Sequence, residues 1–179
     1  MERNLTLIAL FAALIAALGL VPKLTLMSGV PISAQSLGVM LCGTVLGAKR
    51  GGLAVLLFLG LVALGLPLLA GGRGGIGVFS GVTMGYLIGV PVAAFVTGML
   101  AQMWRDEGGF VFPAVAALIG GVIVLNALGI VGMAIKLDKT LAEAALLATP
   151  FVPGDVIKCV LAGLITQGLL KARPGLAKA

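Results

Sequence analysis

Thr149-Pro150-Phe151-Val152-Pro153-Gly154-Asp155-Val156-Ile157-Lys158 stands between a polar connection and a largely apolar run, Cys159 to Leu170. Two prolines and a glycine are expected to stop any helix before it, and the run after it reads as a helix. Asp155 then falls near a helix N-terminus, where the dipole and unpaired N–H groups favour a carboxylate. Lys158, three residues later, shares its helical face. An acid and a base thus sit at the lip of a hydrophobic helix, in a chain with only 12 basic and 6 acidic residues. Two readings fit: a helix cap with a lysine snorkelling to the interface, or a polar pair that meets a ligand.

The composition around that stretch sets the class. The 179 residues are 60% hydrophobic and 10% charged, with a mean hydropathy of +1.23. An ordinary soluble domain carries roughly a quarter charged residues, so this chain is solvated by lipid. A spanning helix needs about 20 mainly apolar residues, slightly fewer where the bilayer thins, and the length accommodates six spans with short loops. The expected fold is an all-α integral membrane protein. Residues 1–179 form one six-helix membrane domain, with spans near 5–21, 32–47, 53–69, 84–103, 110–135 and 155–170 and a Gly-rich loop between helices 3 and 4.

The net charge of +6 is no nucleic-acid signal, because the basic residues are scattered between apolar runs as the positive-inside rule expects. Cys42 and Cys159 lie inside apolar runs and read as reduced packing residues. The chain has no histidine, which removes His metal sites and Ser-His-Asp catalysis; no metal and no cofactor are expected.

In chain order, Leu5 to Val21 reads as a span rather than a signal peptide, since equally apolar segments follow and no convincing cleavage site ends it. Ala9, Ala13 and Ala17 make a small-residue stripe along it, which serves internal packing or a partner helix equally well. Pro22 to Val30 is a loop. Ser33, Gln35 and Ser36 open the second run; capping suits Ser33, and Gln35 is the cavity candidate. Lys49-Arg50-Gly51-Gly52 reads as a charged turn, and Pro67 helps to end the third span.

Six of the eleven residues from 71 to 81 are glycine, too many for a helix interior. The formal GxGxxG at Gly72, Gly74 and Gly77 follows a membrane helix rather than a strand, so it is no dinucleotide fingerprint. No GxxxxGK[ST] loop occurs, so ATP hydrolysis is not expected of this chain. Irregular backbone dipping toward the membrane needs protein or a watery cavity over it. Successive N–H groups there, including those of Gly74 and Gly75, can bind an anion with help from Arg73; a flexible linker is the other reading. Pro91 either kinks the fourth span or marks its start. Tyr86 is an interface anchor or lines a pocket. Asn126, inside the fifth span, is an interhelical hydrogen-bonding group or a ligand contact. Thr140 with Glu143 matches a capping box for a short amphipathic helix at the surface.

Six spans put both termini on one side. That side holds Arg3, Lys49, Arg50, Arg105, Lys171, Arg173 and Lys178, seven basic residues, against Lys23, Arg73, Lys136, Lys139 and Lys158, five, on the other. The bias favours cytoplasmic termini. Gln35 and Ser36, the glycine loop with Arg73, and the Asp155/Lys158 pair then converge on the outer face.

Ile32-Ser33-Ala34-Gln35-Ser36-Leu37-Gly38, Ala70-Gly71-Gly72-Arg73-Gly74-Gly75, Gly81-Val82-Thr83-Met84-Gly85-Tyr86-Leu87-Ile88-Gly89, and Pro153-Gly154-Asp155 with Lys158 resemble, in the same order, motifs of the BioY family. These are the biotin-binding S components of energy-coupling-factor transporters. The family usually reads Gly-Pro-Thr-Gly-Gly-Tyr where this chain has Gly81-Val82-Thr83-Met84-Gly85-Tyr86.

The resemblance implies six helices, an outward-facing biotin site, and an energising module with a transmembrane T subunit and two cytoplasmic ATPases. It implies the cell membrane of a prokaryote as location, and the alanine stripe as a surface for the T subunit. Asp155 is then a candidate acceptor for the ureido N–H groups of biotin. Lys158 is a candidate for either the ureido carbonyl or the carboxylate; Arg73 and the glycine-loop N–H groups are further carboxylate candidates. Two other classes remain: an S component for another vitamin, or a structural or channel-like membrane protein. An intramembrane enzyme would need a paired acid/base or nucleophile set at one depth, and only one membrane-edge carboxylate is present.

Overall fold

The structure, a computed structural model, describes residues 2–22, 24–25 and 31–173. Lys23, Lys178 and most of the expected Pro22–Val30 loop lie outside the described residues. Among the described residues seven helices follow one another: α1 Glu2–Leu18, α2 Gln35–Leu46, α3 Ala48–Ala63, α4 Met84–Met103, α5 Val111–Leu137, α6 Leu141–Ala148 and α7 Val152–Ala172. A two-residue antiparallel pair, Leu24–Thr25 with Pro31–Ile32, joins α1 to α2. Ile32 therefore belongs to a short ladder, and the second helix starts at Gln35 rather than Ile32.

Among the described residues, three helical segments are long and apolar enough to cross a membrane: α4, α5 and the rod Leu141–Ala172. The helix α1 has 17 residues, α2 has 12 and α3 has 16, each below the ~20 that span a bilayer untilted. The apolar residues facing out, such as Leu5, Leu10, Ile135 and Ile157, are more than half exposed, the pattern of a surface wetted by lipid. The helix α2 packs against α1, α3, α4, α5 and α7; ten of its twelve residues are buried, so it is a post inside the bundle rather than a lipid-facing helix.

The turn between α2 and α3 corrects the charged-turn reading. The chain reverses at Gly47 alone, with φ +81° and ψ −178°, a backbone that L side chains rarely adopt. Lys49 to Gly52 are the opening turns of α3. Gly51 serves close approach: a Cβ there would lie 2.5 Å from the Cys42 carbonyl oxygen. Gln102 of α4 seals the turn, its Oε1 accepting from Ala48 N at 3.1 Å. Cys42 and Cys159 are both buried and free.

The third helix ends at Ala63, six residues before the expected boundary at Leu69. Residues 64–83 then form a compact connection. Leu69 N donates to Arg73 O at 3.0 Å, Gly72 N to Leu69 O at 2.9 Å, and Gly75 N to Val62 O at 2.8 Å, closing the segment onto the end of α3. A 3-10 turn, Ile76–Ser80, leads to α4. Pro91 lies within α4.

Within α5, residues Leu118–Val124 are wound as a π-helix, a geometry that recurs next to functional sites. The capping box is present at α6: Glu143 N donates to Thr140 Oγ1 at 3.3 Å and Thr140 N to Glu143 Oε2 at 2.8 Å. The break expected at Pro150 and Pro153 is narrower than the sequence suggests. A 3-10 turn, Thr149–Phe151, carries α6 into α7, because both prolines fall in the opening positions of their turns, where no N–H is needed.

Candidate functional site

Chain order brings the starts of α2, α4 and α7, the end of α1 and the 64–83 segment to one end of the bundle. A cavity of about 130 Å³ opens there. Its walls are mainly apolar: Ile15, Val39, Phe58, Leu69, Leu87, Val90, Leu125 and Phe151. Ser36, Thr83, Arg73, Asp155 and Lys158 supply polar groups among them. An apolar hollow with a few convergent polar groups is the usual design of a small-ligand site.

At its α7 wall, Lys158 Nζ donates to Asp155 Oδ1 at 2.8 Å and to Ser36 Oγ at 2.9 Å, while Ser36 Oγ donates to Asp155 Oδ1 at 3.3 Å. The helix starts at Val152 after Phe151, and no side chain caps it. Asp155 is therefore not a helix cap, and Lys158 does not snorkel to an interface; its side chain is 15% exposed and that of Asp155 11%. The inventory leaves complementary capacity. An ammonium has three N–H donors and a carboxylate two oxygens. Two donors and one oxygen are committed among the described residues, so the pair retains one donor and one acceptor, Oδ2, for a neutral polar ligand.

Gln35 lines the cavity, but its amide is committed to backbone. Nε2 donates to Ile15 O at 3.2 Å and to Leu68 O at 2.9 Å, and Oε1 accepts from Ala70 N at 2.9 Å. The cavity candidate of the sequence reading is thus a staple between α1, α2 and the 64–83 segment. Arg73, on that stapled segment, holds Ala70 O through Nε at 3.4 Å and is half-buried against the cavity.

Gly74 and Gly75 stand outside the lining. A Cβ on Gly74 would run into the Leu66 carbonyl, so this glycine serves close packing. The N–H of Gly75 is committed to Val62 O, and its φ of +84° turns the chain into Ile76–Ser80. Together with the paired N–H groups of Gly72 and Arg73, this removes most of the expected backbone anion cradle and leaves the Arg73 guanidinium as the cationic group there.

Tyr86 faces the cavity, not the membrane interface. Its ring packs against Gly129, where any side chain would collide with it. It meets Phe151 at a ring-centroid distance of 6.2 Å, tilted by 54°. Tyr86 donates through its hydroxyl to Asn126 Oδ1 at 3.2 Å, and Asn126 Nδ2 donates to Val122 O at 2.9 Å, a carbonyl of the π-helical turn. Asn126 does not line the cavity; it orients Tyr86 from behind.

The sequence placed Ser36 on the same membrane face as Asp155 and Lys158 as an entrance polar group, but did not show that it bonds to both. Thr83, buried in the lining, belongs to the motif at residues 81–89, and Phe151 to the stretch at residues 149–158. Phe58 has no sequence signal, being one aromatic in an apolar run.

The chain matches the model of the BioY family over residues 2–175. A protein named biotin transporter BioY from Rhodobacter capsulatus is 50% identical over 183 aligned positions, covering 97% of this chain and 96% of the relative. One of the same name from Rhizobium etli is 48% identical over 178 positions, covering 96% and 95%. Among solved structures, an S-component for biotin from an ECF-type ABC transporter matches with a TM-score of 0.90 at 31% identity, covering 95% of this chain and 92% of that one.

Proposed function

The chain belongs to the BioY family, and on that premise we propose how its pocket reads biotin. The protein is a biotin-binding S component of an energy-coupling-factor transporter; its family is one of transport subunits, not of enzymes. Biotin carries a ureido ring with two N–H donors and one carbonyl, an apolar bicyclic body and a carboxylate tail. The observation that carries the assignment is the Asp155–Lys158–Ser36 cluster. Oδ2 of Asp155 accepts a ureido N–H, and the remaining N–H of Lys158 donates to the ureido carbonyl. Thr83, which has no side-chain hydrogen bond among the described residues, is placed for the second ureido N–H. Tyr86 and Phe151 cover the apolar body. Because Asp155 at 2.8 Å already neutralises Lys158, Arg73 is the stronger attractor for the carboxylate. Gln35 and Asn126 act one step back, holding the Arg73 segment and Tyr86.

Titration of the purified chain with biotin and a panel of other vitamins tests the reading. Saturable binding of biotin alone supports it; a preference for another vitamin, or no binding at all, refutes it.

Among the described residues the pocket end carries four basic residues, Arg73, Lys136, Lys139 and Lys158, and the opposite end six, so we place the pocket outside and both termini in the cytoplasm of a prokaryotic cell. The helices α1, α2 and α3 then cross as well, giving six crossings of one domain, with bilayer thinning to match their length. Ala9, Ala13 and Ala17 are exposed on α1, while Phe11, Ala12 and Ile15 face the core. Among the described residues the stripe is therefore not used for packing, which supports docking of a T subunit, itself joined to two ATPases. Single cysteines replacing the exposed Ile76 and Lys139 should react with an impermeant maleimide on intact cells, and one replacing Glu107 should not. The reverse pattern would invert the topology.

A further inference from the structure

A second cavity, of about 240 Å³, lies at the opposite end of the bundle, where α4 ends, α5 begins and α7 ends. It shares no residue with the biotin pocket. Its floor is the buried hydrogen bond between Thr44 and Thr166, 2.7 Å long. Its rim carries Trp104, tilted against Phe112 at a centroid distance of 6.1 Å.

The polar groups around it are cationic or amide. Arg105 and Lys171 line it, with Gln167 one turn before Lys171. Among the described residues Lys171 makes no ion pair and the Gln167 amide no hydrogen bond. Arg50 lies close enough to Arg105 and Arg3 to be repelled by both, so positive charge accumulates around this end. Asp106, next to Arg105, offsets part of it, and Glu107 is exposed on the same turn. A half-buried tryptophan at a membrane surface favours the headgroup level, and a basic pocket between helix ends is suited to a phosphate.

We propose that this cavity binds the phosphate headgroup of an anionic phospholipid, held by Arg105, Lys171 and the Gln167 amide with Trp104 against its glycerol edge. The acyl chains then lie along the exposed apolar faces of α4 and α7, where Met99, Met103, Leu164 and Leu169 are more than one-third exposed. The site is independent of biotin recognition, and its assignment does not rest on which leaflet the end faces.

Trp104 is the only tryptophan in the chain and reports on the cavity directly. Purified protein in nanodiscs of phosphatidylcholine is compared with nanodiscs of rising phosphatidylglycerol content, and separately titrated with inorganic phosphate. The expected result is a saturable change in Trp104 emission with phosphatidylglycerol that phosphate does not reproduce. Lys171→Gln and Arg105→Gln should each raise the half-saturating lipid fraction by about fivefold, the worth of one charge at a lipid surface. Lys139→Gln, at the other end, should leave it unchanged, and biotin binding in every variant serves as the folding control. If Arg105→Gln fails that control, the exposed Lys171→Gln decides alone. The proposal is overturned if phosphatidylglycerol gives no saturable change, if inorganic phosphate gives the same change, or if the half-saturation is unmoved in the folded variants. It is equally overturned if a purified T subunit, and not the lipid, alters Trp104 emission, which would make the cavity a protein contact.

Discussion

Asp155→Asn is expected to lower biotin affinity by at least about tenfold while the purified protein keeps its fold. The substitution preserves size but removes the charge facing Lys158 at 2.8 Å and puts an N–H₂ where a ureido N–H needs an acceptor. A hydrogen bond to a charged group contributes about 1.5–3 kcal/mol, and a donor left facing a donor adds a desolvation penalty. Each 1.4 kcal/mol or so is a factor of ten. The amide oxygen that remains toward Lys158 still accepts a hydrogen bond but no longer neutralises the ammonium in this largely enclosed site. Asp155 makes no cap for α7, so the helix itself loses little. Equilibrium binding of labelled biotin, with thermal unfolding as the control, reads the result. Wild-type affinity in a folded Asp155→Asn protein would remove Asp155 from ligand recognition.

Gln35→Leu is expected to lower both stability and biotin affinity, though Gln35 donates nothing to the ligand. The substitution keeps the volume and strips three bonds, to Ile15 O, Leu68 O and Ala70 N. Ile15 O keeps the Gly19 N–H as a partner, whereas among the described residues Leu68 O and Ala70 N are left without one, at about 1–3 kcal/mol each; partial relaxation of the loop brings the total to roughly 2–4 kcal/mol. The loop is seated tightly against α1, since a Cβ on Gly19 would lie 2.6 Å from Leu68 O. Release of the staple frees Leu69, Ala70 and Arg73, one wall of the pocket. The unfolding temperature should fall by several degrees and biotin affinity by about tenfold. An unchanged affinity would mean that the loop holds its position without Gln35.

The parts of this site that could be read in the sequence are the charged ones. Asp155, Lys158 and Arg73 stand out because a charge in an apolar chain has a desolvation cost that something must offset. What could not be read were partners that leave no mark of their own. The carbonyls of Ile15 and Leu68 look like any others, so the Gln35 amide appeared free to face a cavity. Tyr86 is a pocket residue rather than an interface anchor because Gly129, far along the chain, leaves room for its ring. Glycines posed the same difficulty. Gly47 is needed for its φ of +81°, Gly51 for contact with α2 and Gly74 for contact with the Leu66 carbonyl, and composition alone does not separate a turn from a close approach. The prolines at 150 and 153 read as a full stop, yet a proline whose missing N–H is not needed lets the helical path continue.

In the proposed pocket the two poles of biotin meet different groups, the neutral ureido ring the Asp155–Lys158 pair and the carboxylate Arg73. Binding of biotin and of its primary amide, which lacks the tail charge, to wild type and Arg73→Gln tests that division directly. Removing either charge should weaken binding by about tenfold, the loss of one charge-assisted contact. Removing both should weaken it little further, since the two partners act as one interaction. Arg73→Gln weakening the amide as much as biotin, or leaving biotin binding untouched, would contradict the assignment.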